Sequence, residues 1–213
     1  MNRHDLVYVE PSAWKTLIQT SIQMEDPIVA NWVDRGWPLV GRRANAGEGQ
    51  GVALGLPLPP SAGRKRLALL LQPEDVVAVA PPPSIHHTIH AAPPSWRTAL
   101  LRLGDLASQQ GLEARVFGSL AWQAITGLGY LSDRSDLDFL LNVCDHTPLL
   151  PLAEAVARIE ADAPMRLDGE LIRRGSAVNW RELHAGSSDV LVKTIVGITL
   201  FNTDQFLSGR NPT

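Results

Sequence analysis

The chain has a single cysteine, Cys144, in 213 residues. That excludes an internal disulfide framework and any zinc site built from several thiolates. No apolar run approaches the roughly 20 residues a membrane helix needs. The start, Met1-Asn2-Arg3-His4-Asp5, lacks the apolar core of a signal peptide. Nor is there a charge excess of either sign, since 19 Lys+Arg stand against 22 Asp+Glu for a formal −3. A protein that coats nucleic acid normally carries a strong positive excess. The expectation is a soluble cytoplasmic protein with neither nucleic acid nor membrane as partner. The 45% hydrophobic content provides for one large domain or two small ones.

Proline is unevenly spread. Nine of the 16 prolines lie between Pro57 and Pro94, ending in Pro81-Pro82-Pro83 and Pro93-Pro94. Consecutive prolines fit neither a helix interior nor a central strand. This predicts a small α+β domain over residues 1–80, an extended connector over 81–94 and a second domain over 95–213. In the first domain, residues 3–9, 38–43 and 51–56 read as strands, and Ser12 as the cap of a short helix through Trp14, Leu17 and Ile18. Residues 66–72 are a strand or a buried helix, because periodicity cannot decide over so few residues.

Beyond the connector the signals sharpen. Ser95 is a good helix cap, followed by Trp96, Ala99, Leu100, Leu103 and Leu106 at helical spacing, with Gly111 as the stop. Residues 114–117 read as a strand, 120–126 as a helix closed by Gly127, and 136–143 as a strand. Leu149, Leu152, Val156 and Ile159 mark an amphipathic helix. Two hairpins follow, over residues 165–181 and 190–202.

Chemistry concentrates at two places, Phe117-Gly118-Ser119 between a strand and a helix, and Asp136-Leu137-Asp138-Phe139-Leu140 at the start of the next strand. Alternation puts Asp136 and Asp138 on one face and Leu137 and Phe139 on the other. Two carboxylates so placed repel, and stay ionised cheaply only in water or around a cation. Such hard oxygen ligands suit Mg²⁺. Gly118 permits close backbone approach, and Ser119 with the following amides can hold an anion at a helix N-terminus. A phosphate cradle facing a metal-binding aspartate pair is what phosphoryl or nucleotidyl transfer needs. Alone, either motif is also an ordinary turn or a solvated strand end.

The order strand, Gly-Ser, helix, strand with Asp-x-Asp resembles the polymerase-beta type of nucleotidyltransferase. That type usually has a third carboxylate on a later strand, and Asp168 and Glu170 are the candidates here. Asp168 is favoured because Gly169 could begin a turn and aim Glu170 elsewhere. The 16 residues between Ser119 and Asp136 are a longer spacer than the compact form, which an extra loop at residues 130–135 would explain. A closer resemblance covers nearly the whole chain. It rests on Arg3-His4-Asp5-Leu6-Val7 with Trp14, Trp37-Pro38-Leu39-Val40-Gly41-Arg42-Arg43, residues 51–60, and Val116-Phe117-Gly118-Ser119-Leu120-Ala121-Trp122-Gln123. It continues through Tyr130-Leu131, Ser135-Asp136-Leu137-Asp138, Asp168-Gly169-Glu170-Leu171, Trp180-Arg181-Glu182-Leu183 and residues 190–194. These stretches are similar to the malonate decarboxylase holo-acyl-carrier-protein synthases, or phosphoribosyl-dephospho-CoA transferases.

The resemblance implies an α+β protein with a small N-terminal domain and a C-terminal nucleotidyltransferase domain holding a mixed sheet and flanking helices. It implies that triphosphoribosyl-dephospho-CoA is split at its α-phosphate. The phosphoribosyl-dephospho-CoA group passes to a serine of the apo acyl-carrier subunit of malonate decarboxylase, and diphosphate leaves. Gly118 and Ser119 would hold the triphosphate, and Asp136 and Asp138 would bind Mg²⁺ with Asp168 as third acid. Arg42, Arg43 and Lys193 are further candidates for donor binding, whereas Arg64-Lys65-Arg66 reads as a solvated loop. A nucleotidyltransferase with another protein or small-molecule acceptor, and a catalytically silent nucleotide-binding module, are the rival readings. His86, His87 and His90 have no clear partner for a zinc site. Trp122 and Trp180 are expected in the core.

Overall fold

The computed structural model describes residues 1–19, 26–45 and 47–210. The chain divides into two compact units, residues 1–82 with 128–130, and residues 83–127 with 131–213. Both combine sheet and helix, so the class is α+β.

Unit 1 opens with β1 (Leu6–Val9), α1 (Pro11–Gln19) and α2 (Pro27–Ala30). β2 (Leu39–Gly41), β3 (Val52–Pro57), β4 (Arg66–Leu71) and β5 (Val76–Ala80) complete it. The strands form one antiparallel sheet in the order β4-β3-β2-β1-β5. Residues 66–71 are therefore a strand, paired with β3 along its whole length. Trp14 and Trp32 are buried, and each indole N–H finds a carbonyl, Val29 at 3.1 Å and Pro38 at 2.9 Å. A buried indole that lacked such a partner would be costly. The chain returns to this unit at Leu128–Tyr130. There the buried Tyr130 donates its hydroxyl to the Pro57 carbonyl at 2.9 Å.

Unit 2 begins where an extended connector was expected, and the structure corrects that expectation. Residues 85–88 form α3 (Ile85–Thr88), followed by single 3-10 turns at Ile89–Ala91 and Pro94–Trp96. Ile85, Ala92 and Trp96 are buried in the core of this unit. The Val116 N–H donates to the Pro83 carbonyl at 2.9 Å. The apolar side chains bury, while Pro94 stands at the first position of its turn, where no N–H is needed. α4 (Arg97–Gln109) consequently starts behind that turn, with Trp96 rather than Ser95 at its N-cap.

β6 (Ala114–Val116), α5 (Gly118–Thr126), β7 (Leu137–Asn142), α6 (Leu149–Ala161) and β8 (Leu167–Arg173) follow. The unit closes with β9 (Ser176–Asn179), α7 (Trp180–His184), β10 (Asp189–Lys193), β11 (Ile198–Asn202) and α8 (Thr203–Leu207). The sheet order is β11-β10-β9-β8-β7-β6. β7 and β8 run parallel, joined by α6 as the crossover such pairing requires, and the other pairs are antiparallel. One face carries Val116, Leu137, Phe139, Leu141, Leu167, Leu171, Val178, Val190 and Val192 into the core with residues of α4, α5 and α6. Trp180 lies in the same core, with its indole N–H on the Leu167 carbonyl at 2.9 Å, and Trp122 is buried as well. The opposite face carries Asp138, Asp168, Glu170, Asn179 and Lys193 together with Leu140, Ile172 and Ala177.

Candidate active site

Asp138 and Asp168 are directly opposite each other in the β7–β8 ladder. Register partners share a face, so parallel pairing sets two carboxylates side by side that are thirty positions apart in sequence. Asp136 completes the group from the position immediately before β7. Asp136, Asp138 and Asp168 each offer an oxygen, and these oxygens lie within 4.8 Å of one another. Asp136 makes no hydrogen bond or ion pair among the described residues. Asp168 accepts one bond, from Asn179 Nδ2 at 2.7 Å.

Gly118 is built into the same site. Its φ is +67°, which favours glycine, and a Cβ there would sit 1.8 Å from Asp138 Oδ2. Absence of a side chain at Gly118 is what admits the Asp138 carboxylate. The Phe117 N–H donates to the Asp138 carbonyl at 3.1 Å, fastening the start of α5 to β7. No side chain of the N-cap residue Phe117 caps α5. Ser119 stands in its first turn, where the helix dipole and backbone N–H groups favour an anion.

β8 continues through Gly169 without turning, so Glu170 shares the face of Asp168. Gly169 serves packing instead: a Cβ there would lie 2.0 Å from the Phe139 ring, its cross-strand neighbour. What separates the two acids is their partners. Asp168 stands in the carboxylate group, while Glu170 is buried and accepts from Lys193 Nζ at 2.8 Å.

Sequence reasoning missed Asn179. Its side chain works in two directions, since Oδ1 accepts the Arg181 N–H at 3.0 Å as the N-cap of α7 while Nδ2 holds Asp168. Asparagine just before a helix is a legible cap signal, but only strand pairing places it beside Asp168.

Arg42 and Arg43 belong to unit 1. Arg42 spends its guanidinium locally: Nε donates to the Leu54 carbonyl at 2.9 Å, Nη2 to the Leu69 carbonyl at 3.1 Å, and both Nη atoms to Glu48. That bidentate pair holds the Glu48 carboxyl down to about 2, helped by the Asn45 N–H. Arg42 thus ties the loop after β2 back onto β3 and β4.

A set of three convergent carboxylates suits a small hard cation. Bonds of about 2.0–2.1 Å to Mg²⁺ put neighbouring ligand oxygens about 3 Å apart and opposite ones about 4 Å apart. The observed spread of oxygens is within a small side-chain adjustment of that.

Family comparison agrees with the division of the chain. Residues 2–82 match the phosphoribosyl-dephospho-CoA transferase MdcG N-terminal domain, and residues 84–204 match the MdcG C-terminal domain. A Bradyrhizobium diazoefficiens protein named phosphoribosyl-dephospho-CoA transferase is 48% identical over 209 residues, 97% of this chain and 92% of that one. Proteins of the same name from Xanthomonas campestris pv. campestris (37% over 200 residues, 93% and 92%) and Pseudomonas putida (33% over 184 residues, 83% and 84%) are also similar. No solved structure matches the chain. With both domains matched in order along almost its whole length, the chain belongs to the MdcG family of phosphoribosyl-dephospho-CoA transferases.

Proposed function

We propose that the protein transfers the phosphoribosyl-dephospho-CoA group of triphosphoribosyl-dephospho-CoA to a serine of the apo acyl-carrier subunit of malonate decarboxylase, releasing diphosphate. The observation that carries this reading is the convergence of Asp136, Asp138 and Asp168 beside the N-terminus of α5, in a member of this family. The chemistry is nucleotidyl transfer of the polymerase-beta type, in the cytoplasm. No helix among the described residues is long and apolar enough to cross a membrane.

In this reading the acceptor serine oxygen bonds to the α-phosphorus, the bond to the departing diphosphate breaks, and the serine proton passes to a carboxylate of the site. Mg²⁺ bound by Asp136 and Asp138 would neutralise the charge gathered on the phosphate oxygens. Asp168, oriented by Asn179, is the third acid of that set. Gly118 and Ser119 offer the N-terminal turn of α5 to the triphosphate. Lys193, on the sheet face of Asp168 and Glu170, adds positive charge for the donor. Such a transfer needs positioning and charge neutralisation more than a covalent enzyme nucleophile.

The test is intact-mass measurement of purified apo acyl-carrier subunit after incubation with the protein, Mg²⁺ and the donor. A gain of one phosphoribosyl-dephospho-CoA is expected, lost when the acceptor serine is alanine. No mass gain on the carrier, with diphosphate released only when another acceptor is supplied, would overturn the assigned acceptor.

A further inference from the structure

Glu170 and Lys193 occupy the same sheet face as the three aspartates. In register, Lys193 faces Ala177 and Ala177 faces Ile172, two residues along β8 from Glu170. The lysine therefore reaches across β9, over the small Ala177 side chain, to a carboxylate two strands away. The Glu170 side chain is 6% exposed and that of Lys193 28%, so the acid lies under the ammonium. Glu170 is Lys193's one partner among the described residues, which leaves two N–H donors of the ammonium directed elsewhere.

We propose that Glu170 is a positioning residue rather than a fourth cation ligand. Its buried carboxylate pins the Lys193 ammonium on the carboxylate face, where the spare donors bind the phosphate oxygens of the donor. This rests on the reading above for the identity of the donor, but the anion contact can be tested apart from it. Three acids converge at the site, and a fourth charge of the same sign would repel them. Glu170 instead spends its charge fixing a cation. A lysine held in place binds a polyanion without first losing the freedom of its long side chain.

Calorimetric binding of inorganic tripolyphosphate with Mg²⁺ provides a readout independent of group transfer. Lys193→Met and Glu170→Ala should each weaken tripolyphosphate by about tenfold, the order expected for losing a charge-assisted hydrogen bond. The double variant should be no weaker than Lys193→Met alone, because Glu170 acts on the anion through the lysine. Glu170→Gln, whose amide oxygen still accepts from the ammonium, should recover most of the loss. In the transfer assay the same variants should raise KM for the donor far more than they lower kcat, with the half-saturating Mg²⁺ concentration unmoved. Lys193→Met takes a cation away from a buried carboxylate, so Lys193→Met with Glu170→Gln serves as the uncharged control of similar shape.

A raised Mg²⁺ requirement in Glu170→Ala would make Glu170 a cation ligand and overturn the proposal. So would a further loss from Glu170→Ala in the Lys193→Met background. Folded variants that bind tripolyphosphate like the parent would reduce the pair to a clamp on the β10–β11 hairpin. Wild-type protein that binds tripolyphosphate as described but labels no carrier would instead sink the functional reading and leave the ammonium's role standing.

Discussion

Asp136 has no hydrogen bond or ion pair among the described residues and stands near two other carboxylates, so the group is held against mutual repulsion. Removing one charge should cost function and relieve strain together. For Asp136→Asn we expect labelling of the carrier to fall about a hundredfold or more, the range seen when a charge-stabilising contact at a reacting centre is lost. Thermal unfolding without Mg²⁺ should be unchanged or slightly raised. Added Mg²⁺ should raise the midpoint of the parent by ligand linkage and that of the variant much less. Gly118→Ala tests the same site from the backbone side. Its methyl meets Asp138 Oδ2 and its φ disfavours any L side chain. A loss of about 1–2 kcal/mol is expected from the conformation alone, with activity falling further because the carboxylate must move. Urea unfolding and the labelling rate check the two halves.

Elements are joined to the site by side chains that serve two structures at once. Asn179 caps α7 and orients Asp168, and two substitutions separate these tasks. Asn179→Asp keeps an N-cap oxygen for α7 but takes the donor from Asp168 and sets a negative charge against it, so stability without Mg²⁺ should fall through repulsion alone and the Mg²⁺ requirement should rise. Asn179→Ala loses both, and should lower stability by about 1 kcal/mol as well. Denaturant unfolding beside Mg²⁺-dependent labelling reads the difference. In unit 1 the loop between β2 and β3 depends on Glu48. Its carboxyl titrates near 2 in the folded chain, below the ordinary value, because Arg42 and the Asn45 N–H bind the charged form. A lowered folded value means that the contribution is complete above about pH 4.5 and is lost as pH falls towards 2. Over that window stability should drop more steeply in the parent than in Glu48→Gln, as followed by urea unfolding at each pH.

The two units are not simple successive segments, because residues 128–130 belong to the first although the chain on both sides of them belongs to the second. The long spacer between Ser119 and Asp136 is thus partly accounted for by a return to unit 1, where Tyr130 is buried. Burial pushes the Tyr130 phenol well above its ordinary value. For a raised value the stabilisation is complete below the unfolded pKa of about 10 and is lost as pH climbs beyond it. The parent should therefore lose stability above pH 10 more steeply than Tyr130→Phe. At neutral pH that variant should be about 1 kcal/mol less stable, because the half-buried Pro57 carbonyl loses the phenol donor. Unfolding curves of the whole protein at pH 7 and above pH 10 measure both.

Local pattern in the sequence determined most of the elements and the two ends of the site. Alternation at residues 136–143 foretold β7 with its aspartates on one face, and helical spacing foretold α4 and α6, because both signals repeat within a few residues. The stop at Gly127 was legible because its φ of +71° suits glycine. Residues 83–94 misled because proline density says where N–H groups are missing, not whether the apolar side chains between them bury. The neighbours across the sheet were beyond any local pattern. Whether Gly169 turned or ran straight depended on the Phe139 ring lying over it. That Asp168 faces Asp138, that Asn179 reaches Asp168 and that Lys193 crosses Ala177 to Glu170 all follow from strand order and register. Only the tertiary structure decided these, because pairing between distant strands is chosen by burial of the opposite face of the whole sheet, a condition no short segment contains.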